Sequence, residues 1–152
     1  DGEAIRSGQT RSVHGSAGAP PTRNAVGPHR WSSDPSKGFP AALNLEWDEP
    51  VSVRSIQLVF DTGLHRHLTL SHHDGYTAKM GWGAAPPETV RDYEIEGFVD
   101  GEWRTLVDIT GNYQRLRRHR LECAERVTAM RVVVHAANGL DHARVMELRL
   151  AG

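Results

Sequence analysis

The densest set of side chains that could do chemistry lies in the stretch HRHLTLSHHDGYTAKMGWG, positions 65–83, which holds four of the chain's nine histidines. Planar polar groups of this kind hydrogen-bond vicinal hydroxyls, and an aromatic ring stacks on the apolar face of a sugar ring. Asn112 is a further candidate for the polar part of such a surface. The residues of the stretch that fit a ligand-binding face are Arg66, His72, His73, Asp74, Tyr76 and Trp82.

The same stretch allows two other interpretations. His72 and Asp74 form a His-x-Asp pair, which supplies two of the ligands that non-haem iron oxygenases use. His135 or His142 would supply the third ligand, with Arg144 nearby. Alternatively, the aromatic and glycine residues pack on one another and hold a long loop in place, as Ω-loops do. The residues themselves leave a ligand face, a packed loop and a metal site open.

The composition argues against several classes of protein. The formal net charge is −1 at pH 7, so there is no basic excess for nucleic acid or an anionic membrane. No apolar run approaches the ~18 residues of a membrane span. The one cysteine, Cys123, cannot form an intrachain disulfide, and we expect it to be a small buried hydrophobic residue in a strand. Common catalytic motifs, such as a nucleophile elbow or His-Glu-x-x-His, are also missing from the sequence.

The elements that must position these residues are short strands. Apolar residues step by two in most segments, and no segment shows an apolar period of 3.6 over three turns, which predicts an all-β, antiparallel β-sandwich. Asp100-Gly101 predicts a two-residue hairpin, and the apolar phase shifts at Arg54-Ser55, as at a bulge. Glu49-Pro50 predicts a strand end. The predicted strands are 41–47, 51–60, 91–98, 101–109, 115–123, 129–136 and 143–150.

Three further expectations concern burial and boundaries. Trp31, Trp47 and Trp103 lie in strand-like settings and are expected in the core. RLRRHR (115–120) is expected to be a solvated strand face, or else a strip that recognises anionic sugars.

The Gly-, Ser- and Pro-rich start predicts a flexible segment or linker at 1–20 and one domain at 21–152. The start lacks an apolar signal sequence, and we expect the domain to belong to a larger protein.

The order of motifs along the chain supports a family resemblance. HRWSSDP, AALNLEWDEPVSVRSIQLVF, YEIEGFVDGEWRTL, MRVVV and ARVMELRL follow one another as do the corresponding segments of the discoidin-like domain. That family, also called the coagulation-factor C-type or galactose-binding-like domain, includes many carbohydrate-binding modules. SHHDGYTAKMGWG, ETVRDY and GNYQRLRRHR also resemble the C-terminal tail module of large, FAD-dependent-oxidoreductase-like bacterial proteins.

The resemblance implies a galactose-binding-like jelly roll and a function. It implies a non-catalytic carbohydrate-binding accessory module of a larger bacterial enzyme, placed outside the cell or in the periplasm. Its partners would be a glycan or polysaccharide and the parent catalytic domain, with no nucleic acid or membrane. A structural domain that docks on its parent is the first alternative, and a metal-dependent enzyme of the non-haem iron type is the second.

The resemblance also implies a structural calcium ion. Family members that hold calcium place ligands near the start of the domain and in the closing strand, where this chain has Asn24 and Glu147. An acidic residue common in the early loop is missing, because this chain has Ala25-Val26-Gly27 there. Since calcium takes six to eight oxygen ligands, backbone carbonyls would have to complete the site.

Overall fold

The computed structural model describes Ile5 and residues 30–63 and 83–152. Within these ranges six strands form one antiparallel sheet in the order β1-β6-β2-β5-β3-β4, with a short 3₁₀ helix at Pro35–Lys37. No helix in the same ranges is long and apolar enough to cross a membrane. The strands are β1 (Trp31–Ser32), β2 (Ala41–Phe60), β3 (Val90–Val99), β4 (Glu102–Ile109), β5 (Leu116–Ala137) and β6 (Arg144–Ala151).

Two of the strands are longer than the domain is wide. β2 has 20 residues and β5 has 22. Fully extended, each would reach about 65–75 Å, whereas a domain of this length has a radius of gyration of about 15 Å. Both strands therefore fold back on themselves. Their pairing shifts register between Glu46 and Val51 and again between Val53 and Ser55, which is where they bend.

The bends divide the sheet into two layers that pack face to face. The first layer holds β1, β6 and the halves of β2 and β5 at 55–60 and 116–120, and the second holds β3, β4 and the other two halves. Tyr93 on β3 joins the layers, because its ring centroid lies 5.2 Å from that of Phe60 and its hydroxyl lies 2.8 Å from His119 Nε2. The prediction of an antiparallel β-sandwich is confirmed.

The core between the layers is built from apolar residues that alternate along the strands, such as Tyr93 and Ile95 on β3. Gly97 continues this alternation, and a Cβ there would lie 2.9 Å from side-chain atoms of Leu106 and Val127, so the packing leaves room for glycine alone. Ile5, within the segment predicted as an N-terminal linker, is 1% exposed and belongs to this core.

The turn signals of the sequence had different outcomes. The hairpin is confirmed, since Asp100 and Gly101 have φ of 53° and 87°, as a type I′ turn requires. The phase shift near Ser55 is confirmed as a register shift. The strand end at Glu49-Pro50 is wrong, because β2 runs through it, and 115–123 and 129–136 likewise form one strand. Pro50 lies where β2 has no register partner, so its missing N–H breaks no ladder bond.

Because the long strands fold back, the two ends of the sandwich differ. The bend end contains the bends of β2 and β5 and the β3–β4 hairpin. The open end contains the connections between strands, at residues 61–63, 83–89, 110–115 and 138–143.

Candidate functional site

Asp61 ties three parts of the open end together directly after β2. Its buried Oδ2 accepts hydrogen bonds from Arg30 Nη1 at 3.0 Å and from Arg144 Nη1 at 3.4 Å. Its Oδ1 accepts from the Gly63 N–H at 2.9 Å, and its carbonyl oxygen accepts from the Thr89 hydroxyl at 3.2 Å. A buried carboxylate needs such partners, because an unpaired buried charge is strongly destabilising. Asp61 therefore fixes the point where the chain enters the His-rich stretch.

The residues predicted as the ligand face fall within 64–82, outside the described residues, and so does Asn24, which was predicted as a calcium ligand. The structure describes their attachment instead. Gly63 lies two residues before the stretch and Gly83 is its last residue, and both belong to segments of the open end. The predicted ligand residues outside the described part are Arg66, His72, His73, Asp74, Tyr76 and Trp82.

His142 and His135, the proposed third ligands of an iron site, have other partners and lie apart. Arg144 Nε donates to His142 Nε2 at 2.9 Å, so the ring proton is on Nδ1, which donates to Asp141 Oδ1 at 2.7 Å and lowers the pKa of that carboxyl. His135 Nε2 lies 3.2 Å from Glu94 Oε1 on the outer face of the second layer. No group of three or more His, Cys, Asp or Glu in the part of the chain described here could hold a metal ion.

Asn112 stabilises the β4–β5 connection. In the sequence it was a candidate for the ligand surface, but its side chain is buried. It is 2% exposed, and its amide nitrogen donates to the carbonyl oxygens of Val90 at 2.6 Å and Gln114 at 3.2 Å. Its amide oxygen accepts from the Gln114 N–H at 3.1 Å and from Arg117 Nη1 at 3.2 Å. Its backbone carbonyl accepts from the Asn138 amide at 3.0 Å. The Asn112 side chain thus ties the β4–β5 connection to the start of β3, and its backbone carbonyl ties that connection to the one at 138–143.

Tyr113 is the residue at the open end that sequence reasoning missed. It follows the buried Asn112 and is 67% exposed. The loop before it is held by Asp92, whose Oδ1 accepts from the Gly111 N–H at 2.8 Å, and this bond lowers the pKa of Asp92. An exposed aromatic on a loop whose backbone is already fixed loses little further entropy on binding. The sequence does contain a signal for this exposure, because Tyr113 lies in a connection between predicted strands and takes no part in the alternation of apolar residues along a strand.

Glu147 is the one predicted calcium ligand that the structure describes. It is 2% exposed, and its Oε1 accepts from Arg149 Nε at 2.7 Å and Nη2 at 2.6 Å. Its Oε2 is buried and has no hydrogen-bond partner in the described ranges. A buried carboxylate oxygen without a donor fits a cation ligand, because leaving it unmatched costs free energy.

The strand RLRRHR is only half solvated. Leu116, Arg118 and Arg120 are exposed, whereas Arg117 and His119 are partly buried. His119 reaches the buried Tyr93 hydroxyl, and burial, followed by the nearby Arg117, lowers its pKa. Burial raises the pKa of Tyr93 to about 12. Because side chains alternate between the two faces of a strand, the exposed residues of RLRRHR form one row and the partly buried residues form another on the opposite face.

Two predictions of burial are wrong. Trp103 is 39% exposed on the outer face of the second layer, where its side chain meets Phe98 across the hairpin. Cys123 is exposed near the bend of β5, and its thiol lies 3.3 Å from Glu125 Oε1. That hydrogen bond raises the pKa of the thiol. In both places the residue type suggested core, but the side chain lies on the solvent side of its strand. Trp31 and Trp47 pack against the core, as predicted.

No protein-family model matches the sequence, and no curated protein matches it. Solved structures share its fold. The family 32 carbohydrate-binding module of Streptococcus pneumoniae EndoD aligns with 98% of this chain and 83% of that chain, at a TM-score of 0.65 and 14% identity. The family 32 module of C. perfringens NanJ, solved in complex with galactose, aligns with 80% of this chain and 74% of that chain, at a TM-score of 0.59 and 14% identity.

Chitosan-binding module 1 from a chitosanase/glucanase of Paenibacillus sp. IK-5 aligns with all of this chain and 85% of that chain, at a TM-score of 0.59 and 12% identity. At such identities the likeness establishes the fold and not the ligand. The chain has the discoidin-like, galactose-binding-like jelly-roll fold that these carbohydrate-binding modules share.

Proposed function

We propose that the chain is a non-catalytic carbohydrate-binding module attached to a larger bacterial enzyme that acts outside the cell or in the periplasm. The module raises the local concentration of that enzyme at its polysaccharide by tethering. The shared fold supports this, since the NanJ module was solved in complex with galactose.

The observation that carries the proposal is the construction of the open end. Asp61 and Asn112 are buried polar side chains that hydrogen-bond to the connections of this end and to the strand residues next to them. Loops held on a rigid sandwich are where binding residues are placed, because a preorganised surface loses less entropy when a ligand binds. The His-rich stretch enters and leaves at this end, through Gly63 and Gly83.

We assign the ligand face to that stretch. Trp82 and Tyr76 supply the aromatic surface for a pyranose ring, and the polar side chains around them supply hydrogen bonds to its hydroxyls. Neutral imidazoles accept as well as donate, so protonation near their ordinary pKa of ~6.5 removes an acceptor. The polar members of the face are Arg66, His72, His73 and Asp74.

A structural calcium ion completes the proposal. Glu147 Oε2 and Asn24 would hold it, with backbone carbonyl oxygens as further ligands. The ion would neutralise a buried carboxylate and stabilise the fold, and it takes no part in binding the sugar.

The direct test is a glycan array and an affinity gel with the 152-residue chain, comparing it with Trp82→Ala. We expect Trp82→Ala to lose roughly 1–3 kcal/mol of binding free energy, as for an aromatic anchor, and to keep its melting temperature. Leu116→Ala removes another exposed apolar side chain, on the first layer, and serves as the control. A large fall in melting temperature with unchanged affinity would instead mean that the stretch is packed structure, as in a domain that docks on its parent.

A further inference from the structure

A row of polar side chains follows β3 along the outer face of the second layer. We call it the polar strip. The hydrogen bond from the Gly111 N–H to Asp92 joins its first end to the loop that carries Tyr113, and Trp103 lies across the hairpin from Phe98 at its other end. The members of the polar strip, from the open end to the bend end, are Arg91, Asp92, His135, Glu94, Glu96 and Arg131.

The members of the polar strip are held in pairs that remain open to solvent. Arg91 Nε donates to Asp92 Oδ2 at 2.9 Å, and their side chains are 49% and 23% exposed. The His135–Glu94 pair is 42% and 32% exposed. In each pair the contact uses one nitrogen of the basic group, so the terminal nitrogens of Arg91 stay available to a ligand. Paired planar groups lose less rotamer freedom on binding than free ones.

The last pair of the polar strip is joined to an aromatic ring. Arg131 donates from Nε to Glu96, and its guanidinium carbon lies 4.3 Å from the centroid of the Trp103 ring. Phe98 meets that ring edge-on, with centroids 5.4 Å apart. These contacts fix the orientation of Trp103, which still is 39% exposed. A fixed and partly exposed indole is a suitable surface for stacking.

One exposed aromatic residue lies at the bend end of the polar strip, and another lies in the connection that is hydrogen-bonded to its first end. Within the described residues, the large exposed hydrophobic side chains are Tyr113, Trp103 and Leu116, and Leu116 lies in the first layer. Between the other two, β3 runs from Asp92 to Phe98, a distance of about 20 Å at the strand's rise per residue. Two aromatic surfaces joined by hydrogen-bonding groups along an extended strand match an extended chain of polyhydroxylated rings.

We propose that the polar strip binds an oligosaccharide of several sugar rings, with Tyr113 and Trp103 stacking on its terminal rings. The ligand is neutral, because with neutral imidazole the strip carries three carboxylates against two guanidinium groups and offers no cationic excess to a uronic or sulfated chain. This inference rests on the proposed function, and it adds a second surface to the ligand face at the open end.

The test measures affinity against chain length. The 152-residue chain is titrated with gluco-, manno-, galacto- and xylo-saccharides from the monosaccharide to the hexasaccharide, and with oligogalacturonates as the anionic comparison. Tyr113→Ala and His135→Ala alter exposed members of the surface and spare the core, so both are expected to fold. The controls are Leu116→Ala and Arg118→Ala, which alter exposed side chains on the first layer.

We expect affinity for one neutral series to rise with chain length. Each of the two variants should lower affinity for the hexasaccharide roughly five- to thirtyfold, the effect of losing one anchor, and His135→Ala, which lies outside the connections of the open end, should leave affinity for the monosaccharide unchanged. Equal affinity for short and long ligands, or equal loss in the controls, overturns the inference and leaves glycan binding at the open end intact. A preference for oligogalacturonates overturns the assignment of a neutral ligand. Failure to bind any saccharide overturns both the inference and the proposed function.

Discussion

The open end and the bend end of the sandwich are closed in different ways. At the bend end the chain turns by strand pairing itself, through register shifts in β2 and the Asp100-Gly101 hairpin. Among its side-chain contacts are exposed ones, such as Arg104 with Asp100 at 3.6 Å. At the open end the turns are held by buried side chains, above all Asp61 and Asn112, which bond to backbone groups.

The difference indicates where the sequence is constrained. A bend made by backbone pairing accepts many side chains, because main-chain groups satisfy one another. A loop held by one buried amide tolerates few substitutions, because each lost partner leaves a buried polar group without a hydrogen bond. A fold that fixes the connections at one end so closely presents a preorganised surface there, which is the property that a binding site requires.

The largest expected effect is that of Asn112→Ala. The change removes the side-chain partners of the Val90 carbonyl oxygen, the Gln114 N–H and Arg117 Nη1, so we expect the free energy of unfolding to fall by roughly 2–4 kcal/mol. Chemical denaturation measures it. The matched change at the bend end is Glu125→Ala, which removes only an exposed contact to Cys123 and should cost less than about 0.5 kcal/mol. Equal losses would abolish the distinction between the two ends.

Calcium should give the next effect, through Glu147. At free calcium of about 100 times the dissociation constant, binding to the native state adds about 2.7 kcal/mol, a rise of roughly 5–10 °C in melting temperature for a domain of this size. Glu147→Gln should abolish the rise, while Glu96→Gln, a carboxylate of the polar strip that is also paired with an arginine, should retain it. The same melting temperature for the native chain in calcium and in chelator contradicts the calcium site.

The smallest effect concerns pH and the half-buried His119. Because burial and Arg117 lower its pKa in the folded state, the unfolded chain takes up the proton first as pH falls below ~6.5. Above that pH His119 contributes its full stabilisation of the folded state. This stabilisation is lost as the pH falls through the pKa that His119 has in the folded state. His119→Gln, which keeps an acceptor for the Tyr93 hydroxyl, should therefore flatten the stability profile below about pH 6.5. Parallel profiles for the two proteins would show that His119 is not the group responsible.

The strand content and the hairpin could be predicted from the sequence because they depend on local chemistry. Alternation marks the faces of β3, and Asp100-Gly101 supplies two residues with positive φ. The continuity of β2 and β5 could not be predicted. Pro50 is a local stop signal, and only the long-range pairing with β5 shows that the strand resumes beyond it.

The candidate site was predictable in type more than in detail. Asn112 has the chemistry of a ligand residue, but burial assigns it to the scaffold, and burial depends on contacts with distant residues such as Val90 and Asn138. Tyr113 and Trp103 show the reverse, since both are exposed and that exposure depends on which side of a connection or strand faces solvent. The sequence identified the carboxylate at Glu147, but its unpartnered oxygen becomes visible only in three dimensions.

The most direct test of the account is to locate a bound sugar on the chain. The isotope-labelled chain is titrated with the monosaccharide that gives the strongest array signal, and backbone amide shifts are followed by NMR. We predict that the shifts concentrate at the open end, in the segments 61–63, 83–89, 110–115 and 138–143 and in the His-rich stretch, with none at the β3–β4 hairpin or at Glu125. Shifts concentrated at the bend end, or no shifts with any sugar, would contradict the claim that this chain binds glycans at its open end.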